Sequence, residues 1–511
     1  MIVILDFGSQ YTKVITRKIR EQFVYCEVVP HNISLDEIKQ KRAKGIILSG
    51  GPSSVFDSDS PRCDEAIFDC GIPVLGICYG MQLMTDTLGG ELVQAKTQEY
   101  GHANFYIDNN LDLLEGLWME MSVWMSHGDS VLRMPEGFQR IGHTADCPIA
   151  AMAHPHRKLY GLQFHPEVSH TPKGKDIIKN FILGICKCKP DWTPDAFIKS
   201  AINKVNKEVH HDKVLCALSG GVDSTTVAAL LKKAIGDRLT CMFIDHGFMR
   251  KDEGDRIKTF FKSNFNLNIL YIDASERFFS KLEGVTDPEQ KRKIIGELFI
   301  RVFEEESNKL AGNHKFLAQG TLYPDVIESA VGDVSKTAQT IKSHHNVGGL
   351  PEDIGFQIIE PLRLLFKDEV RKVGVELGLP REAVYRHPFP GPGLAIRILG
   401  EVNREAVSIL QNADAILMEI IKEEGLYDKL WQVFAVLLPV KSVGVQGDQR
   451  SYLNTIAIRA VQSEDAMTAN WAHLPYSVLE KISSRIINEV QGVNRVVYDI
   501  SSKPPATIEW E

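Results

Sequence analysis

The chain has 511 residues, a formal net charge of −8 and nine cysteines. This length exceeds what one hydrophobic core usually supports, so we expect about three or four domains. The negative charge gives no overall attraction for nucleic acid, and we expect no nucleic-acid partner. No apolar run approaches the ~20 residues that span a bilayer, so we expect no membrane association. The cysteines and a start without signal-peptide character predict free thiols and a cytoplasmic location.

Apolar runs that end in turn signals alternate with helix-like segments, which is typical of α/β domains with a mainly parallel sheet. A first series of such runs covers residues 2–8, 45–52 and 72–76. A second series covers residues 214–218, 239–245, 269–273 and 316–319. We therefore predict two successive α/β domains with mainly parallel sheets, followed by a smaller α+β C-terminal domain.

Two proline-containing stretches, residues 187–194 and 386–393, interrupt these patterns and predict the domain boundaries. The predicted domains are 1–189, 190–386 and 387–511. Residues 336–351 contain glycines and lysines with weak periodicity, and we interpret them as a mobile loop. Cys186 and Cys188 form a close pair, but no second pair follows at zinc-ligand spacing, so we interpret both as structural.

Cys78 stands between Gly76 and Gly80, after an apparent strand and before an apparent helix. A sharp strand-to-helix turn needs small neighbours and exposes its middle side chain, while the helix N-terminus offers N–H groups to an oxyanion. His165 and Glu167 lie two residues apart on an apparent short strand, so both side chains would point to the same side. The sequence thus predicts a thiol nucleophile with His165 as base and Glu167 as the group that orients it.

A glycine-rich loop at residues 219–224 follows a strand and opens a helix at Thr225. Its glycines let backbone N–H groups approach phosphate oxygens, and the helix N-terminus favours an anion. The loop lacks the Gly-Lys-Ser/Thr ending of the common P-loop and the glycine spacing of a dinucleotide site. Asp223 inside the loop suits a Mg²⁺ ion that the same phosphates bind.

Residues 1 to about 188 resemble the class I, or triad, glutamine amidotransferases, on the strength of the Gly-x-Cys-x-Gly turn and the His-Pro-Glu segment. The resemblance implies that glutamine is hydrolysed to glutamate and ammonia through a thioester on Cys78, with His165 as base and Glu167 as orienter. It also implies that the oxyanion and the glutamine are bound by Gly50, Gly51, Gly76, Tyr79, Gln82, Ser126 and His127.

The loop at residues 219–224 is similar to the signature of the ATP pyrophosphatase, or N-type, superfamily. Those enzymes cleave ATP between the α and β phosphates and transfer AMP to an acceptor oxygen. The likeness implies Mg²⁺ as cofactor, with ATP as co-substrate and Asp223 as a metal ligand. It implies ATP binding by Ser219, Gly220, Gly221, Val222, Asp223, Ser224, Thr225 and Gly320.

Further segments resemble the family of glutamine-hydrolysing GMP synthases, namely residues 243–250, 291–296, 319–329, 341–351, 387–394, 444–452 and 502–505. This resemblance implies that ATP, XMP, glutamine and water give GMP, AMP, pyrophosphate and glutamate through an adenyl-XMP intermediate. It implies XMP binding by Arg292, Gln446, Lys503 and Glu509. It further implies a lid at residues 336–351, with Lys342 and Lys367 stabilising phosphate charge in the transition state, and a homodimer to which the apolar run 434–440 contributes.

Three other classes of protein fit the sequence less well. An RNA-modifying enzyme with a fused amidotransferase would need a basic surface, which the negative net charge disfavours. An amidating synthetase of the NAD or asparagine type would share the loop but not the segments at 387–393 and 444–452. A sensor without activity would have no use for an intact nucleophile and base. We also expect coupling, with Cys78 poorly active until ATP and XMP fill the second site.

Overall fold

A computed structural model describes residues 1–110, 112–267, 269–310, 314–331, 356–446, 448–463 and 468–511, with backbone only for 95–98, 328–331 and 446. The chain divides into two compact units, Met1–Phe197 and Ile198–Glu511.

The first unit is built on one sheet whose nine described strands lie in the order β2-β1-β3-β4-β9-β8-β7-β5-β6. The strands from β2 to β9 pair in parallel, and those from β9 to β6 pair antiparallel. Their bounds are β1 Ile2–Asp6, β2 Cys26–Pro30, β3 Gly45–Leu48, β4 Val74–Ile77, β5 Glu91–Ile107, β6 Glu120–Arg133, β7 Gln139–His143, β8 Ala151–His154 and β9 Leu159–Leu162.

Helices cover both faces of this sheet, which explains why its central strands are apolar throughout rather than alternating. Ile2, Val3, Ile4 and Leu5 of β1 are all 0% exposed, and they divide between two apolar clusters. The helices are α1 Thr12–Arg20, α2 Leu35–Gln40, α3 Tyr79–Thr87 and α4 Gly174–Lys179, which continues into a π-helical turn at Asn180–Ile185.

The end of the first unit is fastened to its body through Trp192. The Trp192 backbone N–H donates to the Phe23 carbonyl at 2.8 Å. The guanidinium of Arg20 lies 4.6 Å from the ring centres of both Tyr25 and Trp192. The proline-containing stretch after Cys188 is therefore packed against the first unit by cation–π contacts.

The second unit contains a five-stranded parallel sheet and a separate C-terminal sheet. The parallel sheet has the order β12-β11-β10-β13-β14, from β10 Val214–Leu218, β11 Leu239–Asp245, β12 Ile269–Asp273, β13 Phe316–Ala318 and β14 Gln357–Ile359. In the C-terminal sheet, β16 pairs with β15, β17 and β18; the bounds are β15 Gln432–Gln446, β16 Gln449–Gln462, β17 Asn470–Trp471 and β18 Val493–Tyr498.

Helices connect and cover these sheets. They are α5 Pro194–Val209, α6 Val222–Ile235, α7 Glu253–Phe265, α8 Ser275–Leu282, α9 Pro288–Leu310, α10 Tyr323–Val331, α11 Lys367–Glu376, α12 Arg381–Val384, α13 Arg404–Glu423 and α14 Tyr476–Glu489. One apolar cluster includes Leu215 on β10, Ile482 on α14, and Leu394, which lies between them in the sequence. The segments before and after residue 386 therefore share a core.

The apolar run at residues 434–440, expected at a subunit contact, is mostly internal. Phe434 and Val436 are 0% exposed and pack within the chain. The exposed apolar side chains lie farther along the same hairpin, where Val443 of β15 is paired with Tyr452 of β16 and they are 45% and 64% exposed.

The predicted α/β class is confirmed, and each strand predicted from the two series of apolar runs coincides with a strand of the structure. None of the described helices combines the length and the apolar character that a bilayer crossing requires.

Candidate functional site

Cys78 occupies a tight turn between β4 and α3. Its backbone has φ +51° and ψ −105°, a conformation that side-chain-bearing residues rarely adopt. A Cβ atom added to Gly76 would lie 2.5 Å from the Gly80 carbonyl oxygen, and one added to Gly80 would lie 2.5 Å from the Leu48 carbonyl oxygen. Both flanking positions therefore require glycine, because strand and helix backbones approach each other without room for a side chain.

His165 and Glu167 form a buried pair beside this turn. His165 Nδ1 and Glu167 Oε1 are 2.8 Å apart, and the two side chains are 4% and 0% exposed. The imidazole also hydrogen-bonds the Cys78 thiol. The prediction that the pair lies on a strand is wrong, since β9 ends at Leu162 and the pair follows in a turn. Pro166 between them has no N–H to donate to a strand partner.

The charge of His165 is set by its neighbours. Burial lowers the pKa of His165, but the negative charge of Glu167 and the hydrogen bond with Cys78 outweigh it, and together they hold the pKa well above its ordinary value. The site therefore favours an imidazolium facing the sulfur. Such a group is ready to give its proton to a leaving amine.

The glycine loop after β3 closes over the thiol and the imidazole. A Cβ atom at Gly50 would lie 3.2 Å from His165 Cε1 and 3.8 Å from Cys78 Cβ, and one at Gly51 would lie 2.8 Å from the Phe7 carbonyl oxygen. Tyr79 is buried, and its hydroxyl donates to the Pro61 carbonyl at 2.7 Å. Gly50 thus brings backbone, rather than a side chain, beside the nucleophile, and Gly51 packs against Phe7.

Two further residues touch the sulfur. The Cys78 thiol donates to the Ser126 carbonyl at 3.5 Å. Gln163 Nε2 lies 3.8 Å from Cys78 Sγ, and the Gln163 side chain is 0% exposed. Gln163 is not among the site residues predicted from the sequence. Its position two residues before His165, directly after the apolar run that forms β9, was the available signal.

The predicted glutamine-site residues Gln82 and His127 face the backbone of β6. Gln82 Nε2 donates to the Asp129 carbonyl at 2.8 Å, and His127 Nδ1 lies 3.1 Å from the same oxygen. His127 Nε2 lies 3.2 Å from Glu99 Oε2. Cys147 completes a group whose ligand-type atoms lie within 4.8 Å of one another. Because Glu99 Oε1 also accepts from Thr144 Oγ1 at 3.2 Å, both Glu99 oxygens and both His127 nitrogens have hydrogen-bond partners within the protein.

The phosphate loop in the second unit joins β10 to α6. Gly220 has φ +74°, which favours glycine, and a Cβ atom there would lie 2.9 Å from Ile257 Cδ1. The Ser219 and Ser224 hydroxyls are 3.1 Å apart, and the Ser219 N–H donates to Ser224 Oγ at 3.2 Å. Gly221 caps the helix, and Val222 and Thr225 are buried in its first turn. The loop is therefore shaped by its own hydroxyls.

Asp223 has one oxygen paired and one open. Its Oδ2 atom forms an ion pair with Lys367 Nζ. Its Oδ1 atom is buried and accepts no hydrogen bond from the part of the chain that the structure describes. Carboxylate oxygens suit Mg²⁺, so Asp223 fits the metal. A Cβ atom at Gly320 would lie 3.4 Å from Asp223 Cβ, which places Gly320 beside the loop. Lys342 and the predicted lid lie outside the described residues.

Of the four residues predicted to bind XMP, Arg292 and Glu509 both take part in polar contacts at the end of the chain. Arg292 Nη2 donates to the Glu511 carbonyl at 2.5 Å. The carboxylate of Glu509 receives Arg397 in a two-pronged pair at 2.8 and 3.1 Å. Lys503 exchanges backbone hydrogen bonds with Ala469 at 2.7 and 3.0 Å. Gln446 ends β15, with its side chain outside the description.

Three known families match successive parts of the chain. The family described as glutamine amidotransferase class-I matches residues 3–185. The family described as NAD synthase matches residues 195–322. The family described as GMP synthase C terminal domain matches residues 419–510.

Two relatives matched over their full length are described as GMP synthase (glutamine-hydrolyzing). The protein from Clostridium acetobutylicum is 57% identical, with 100% of this chain and 99% of the relative covered. The protein from Prochlorococcus marinus is 60% identical, with 100% and 98% covered. A solved glutamine amidotransferase from Thermotoga maritima covers 37% of this chain and 86% of its own, at 20% identity and a TM-score of 0.28, which is too low to bear on function.

Proposed function

The chain belongs to the family of glutamine-hydrolysing GMP synthases, and we propose that it divides that family's reaction between the glutaminase centre around Cys78 and the adenylating centre around Asp223. It is an enzyme that converts ATP, XMP, glutamine and water to GMP, AMP, pyrophosphate and glutamate. One observation supports this division most directly. The Cys78 turn and the buried His165–Glu167 pair lie together in the first compact unit, whereas Asp223 lies in the second.

At the first centre, His165 takes the thiol proton of Cys78, and Sγ forms a bond to the carboxamide carbon of glutamine. The carbon–nitrogen bond breaks, and His165 gives its proton to the departing ammonia. Water then cleaves the thioester to glutamate. Backbone N–H groups at Gly51 and Tyr79 stabilise the oxyanion, while Gly50 and Gly76 leave space for it.

Ser126, Gln82 and His127 are proposed to line the glutamine pocket. Support for Ser126 is direct, because its carbonyl contacts the thiol. Gln82 and His127 support the proposal less directly, since both hold the Asp129 carbonyl and so fix the strand that carries Ser126.

At the second centre, the 2-oxygen of XMP attacks the α-phosphorus of ATP and pyrophosphate leaves. Ammonia then attacks the ring carbon that bears this oxygen and loses a proton, and AMP leaves with the oxygen. The N–H groups of residues 219–225 and the neighbouring Gly320 are proposed to hold the phosphates. Bound Mg²⁺, held by Asp223, would neutralise phosphate charge. Lys367 lies next to this carboxylate and, with Lys342, is proposed to stabilise charge in the transition state.

Arg292, Gln446, Lys503 and Glu509 are proposed to bind XMP. Arg292 retains donors beyond the one that contacts Glu511, because a guanidinium has five. Glu509 retains acceptor capacity, because an ionised carboxylate has about four lone-pair sites. Cationic groups suit the XMP phosphate, and a carboxylate suits the N–H groups of its base.

The domain limits 1–189, 190–386 and 387–511, a cytoplasmic location and a homodimer complete the proposal. Free cysteines support the location. The exposed cross-strand pair Val443 and Tyr452 supports a contact between copies. Sedimentation of the wild type and of Val443→Asp tests the dimer; a wild-type monomer, or a variant that stays dimeric, would rule out this contact.

Product analysis tests the proposed function. The purified enzyme is incubated with Mg²⁺, ATP, XMP and glutamine, and GMP, AMP and pyrophosphate are expected in equal amounts. Omitting XMP serves as the control and should abolish ATP cleavage. Cleavage of ATP at the same rate without XMP would contradict the proposed acceptor.

A further inference from the structure

The last thirteen residues, 499–511, form a segment that three buried cations hold in place; we call it the C-terminal segment. Each of the three is 0% exposed and forms an ion pair with this segment. They are Lys291 on α9, Arg397 in the turn before α13, and Arg459 on β16. The partners are Glu511, Glu509 and Asp499 respectively. Three separate parts of the second unit thus converge on one stretch of chain.

The Lys291 contact is the most enclosed of the three. Its ammonium donates to Glu511 Oε2 at 2.6 Å and to the Ile398 carbonyl at 2.6 Å. The neighbouring residue Arg292 donates to the Glu511 carbonyl. Adjacent residues of one helix therefore hold the same end of the segment, one from inside the unit and one from its surface.

The two arginines hold the middle of the segment. Arg397 binds both carboxylate oxygens of Glu509, and Gln432 donates to one of them at 2.6 Å. Arg459 donates to the carbonyls of Ser501 and Thr507 at 2.5 and 3.0 Å. The segment is fixed through its backbone as well as its side chains.

A buried cation without a partner is strongly unfavourable, because its lost hydration is not replaced. The three cations are therefore stable in place only while the segment is docked. Conversely, the segment has few apolar anchors of its own; Ile508 is its one side chain in a described apolar cluster. The ion pairs therefore stabilise both the buried cations and the docked C-terminal segment.

We propose that Lys291, Arg397 and Arg459 are positioning residues for XMP, which hold the C-terminal segment where Lys503 and Glu509 meet the nucleotide. This inference rests on the proposed role of Arg292, Lys503 and Glu509. It adds that XMP binding and docking of the segment are one linked equilibrium. Arg292 would contact the nucleotide while it remains tied to Glu511, so each event strengthens the other.

The test compares Lys291→Met with Lys309→Met in the full-length enzyme. Lys309 lies on the same helix, but its side chain is 66% exposed, so the same chemical change removes only a surface ion pair. For Lys291→Met we expect the KM for XMP to rise about tenfold or more. Glutaminase activity without XMP should be unchanged, because Cys78 lies in the other unit. Lys309→Met should match the wild type.

Amide hydrogen exchange provides a readout that activity does not give. In Lys291→Met, residues 499–511 should exchange faster than in the wild type, and saturating XMP should restore part of the protection. Glu511→Gln offers a milder second variant that changes only the end of the chain and should shift KM and exchange in the same direction. Normal KM and normal exchange in both variants would overturn the proposal.

Lys503→Ala separates this inference from the proposed XMP site. If Lys503→Ala raises the KM for XMP while Lys291→Met and Glu511→Gln do not, the site stands and the positioning role is wrong. If Lys503→Ala leaves the KM unchanged, the assigned XMP site is wrong, and the positioning proposal falls with it.

Discussion

The Glu167 carboxylate controls the charge of His165, and so the pH range in which glutamine is hydrolysed. Its negative charge is one reason why the pKa of His165 is raised. Above that pKa the imidazole is neutral and has no proton for the departing ammonia. Glutaminase activity should therefore fall at alkaline pH, as His165 loses its proton.

Glu167→Gln tests this account. The amide removes the negative charge, so the pKa of His165 should fall and the alkaline limb of the pH profile should move to lower pH. Ammonia-dependent GMP formation is the control, and it should keep its wild-type pH profile. An alkaline limb that stays in place would show that His165 is not the group that titrates.

Cys78→Ala tests the division of labour. The variant lacks the nucleophile and should lose glutamine-dependent GMP formation. We expect the rate to fall by a factor of roughly 10⁴ or more, because the nucleophile and its base act as a unit. With ammonium salts added in place of glutamine it should form GMP at the wild-type rate. Loss of both activities in a folded variant would contradict the assignment.

Single residues differ in how well sequence predicts them. Cys78, His165 and Glu167 lie in short segments whose spacing carries the chemistry, so they could be selected without a structure. Gln163 had a local signal that was overlooked. Lys291 had none, because its partner Glu511 lies 220 positions away, and only the fold brings the two together.

The strand–turn–helix element around Cys78 depends on close backbone packing. Gly80→Ala would place a Cβ atom 2.5 Å from the Leu48 carbonyl oxygen, so β3 or α3 must shift. We expect a loss of about 1–3 kcal/mol of stability and a strong loss of glutaminase activity.

Gly184→Ala is the matched control for this variant, because a Cβ atom there meets nothing within 4 Å. Thermal unfolding and glutaminase assays of both variants provide the measurements. Equal stability of the two variants would show that the turn tolerates a side chain.

Elements with a strong local pattern were predictable, and those defined by distant pairing were not. The apolar strands β1, β3, β10 and β11 were found because burial on both faces makes the whole strand apolar. The antiparallel half of the first sheet was not anticipated. In its hairpin of β5 and β6, buried residues of β6 alternate with partly buried ones, and the pairing is irregular between Gln94 and Glu99.

At the scale of the whole molecule, two centres in separate units must work at matched rates, or ammonia is wasted. We therefore expect glutamine hydrolysis by Cys78 to be slow alone and several-fold faster when ATP and XMP are both bound. The measurement is glutamate release with neither ligand, with each ligand and with both. Lys503→Ala is the control, since weaker XMP binding should demand more XMP for the same stimulation. Equal rates under all conditions would exclude coupling.

The anchoring of Trp192 decides where this chain can be cut. A fragment ending at Lys189 loses the ring that stacks on Arg20 and the N–H that reaches the Phe23 carbonyl. A fragment ending at Phe197 keeps both, together with the contact between the Trp192 and Phe197 rings. The longer fragment should be produced as a folded glutaminase, whereas the shorter one should melt at a lower temperature and aggregate more readily. Residues 190–197, which follow the predicted domain limit at 189, therefore pack as part of the first unit.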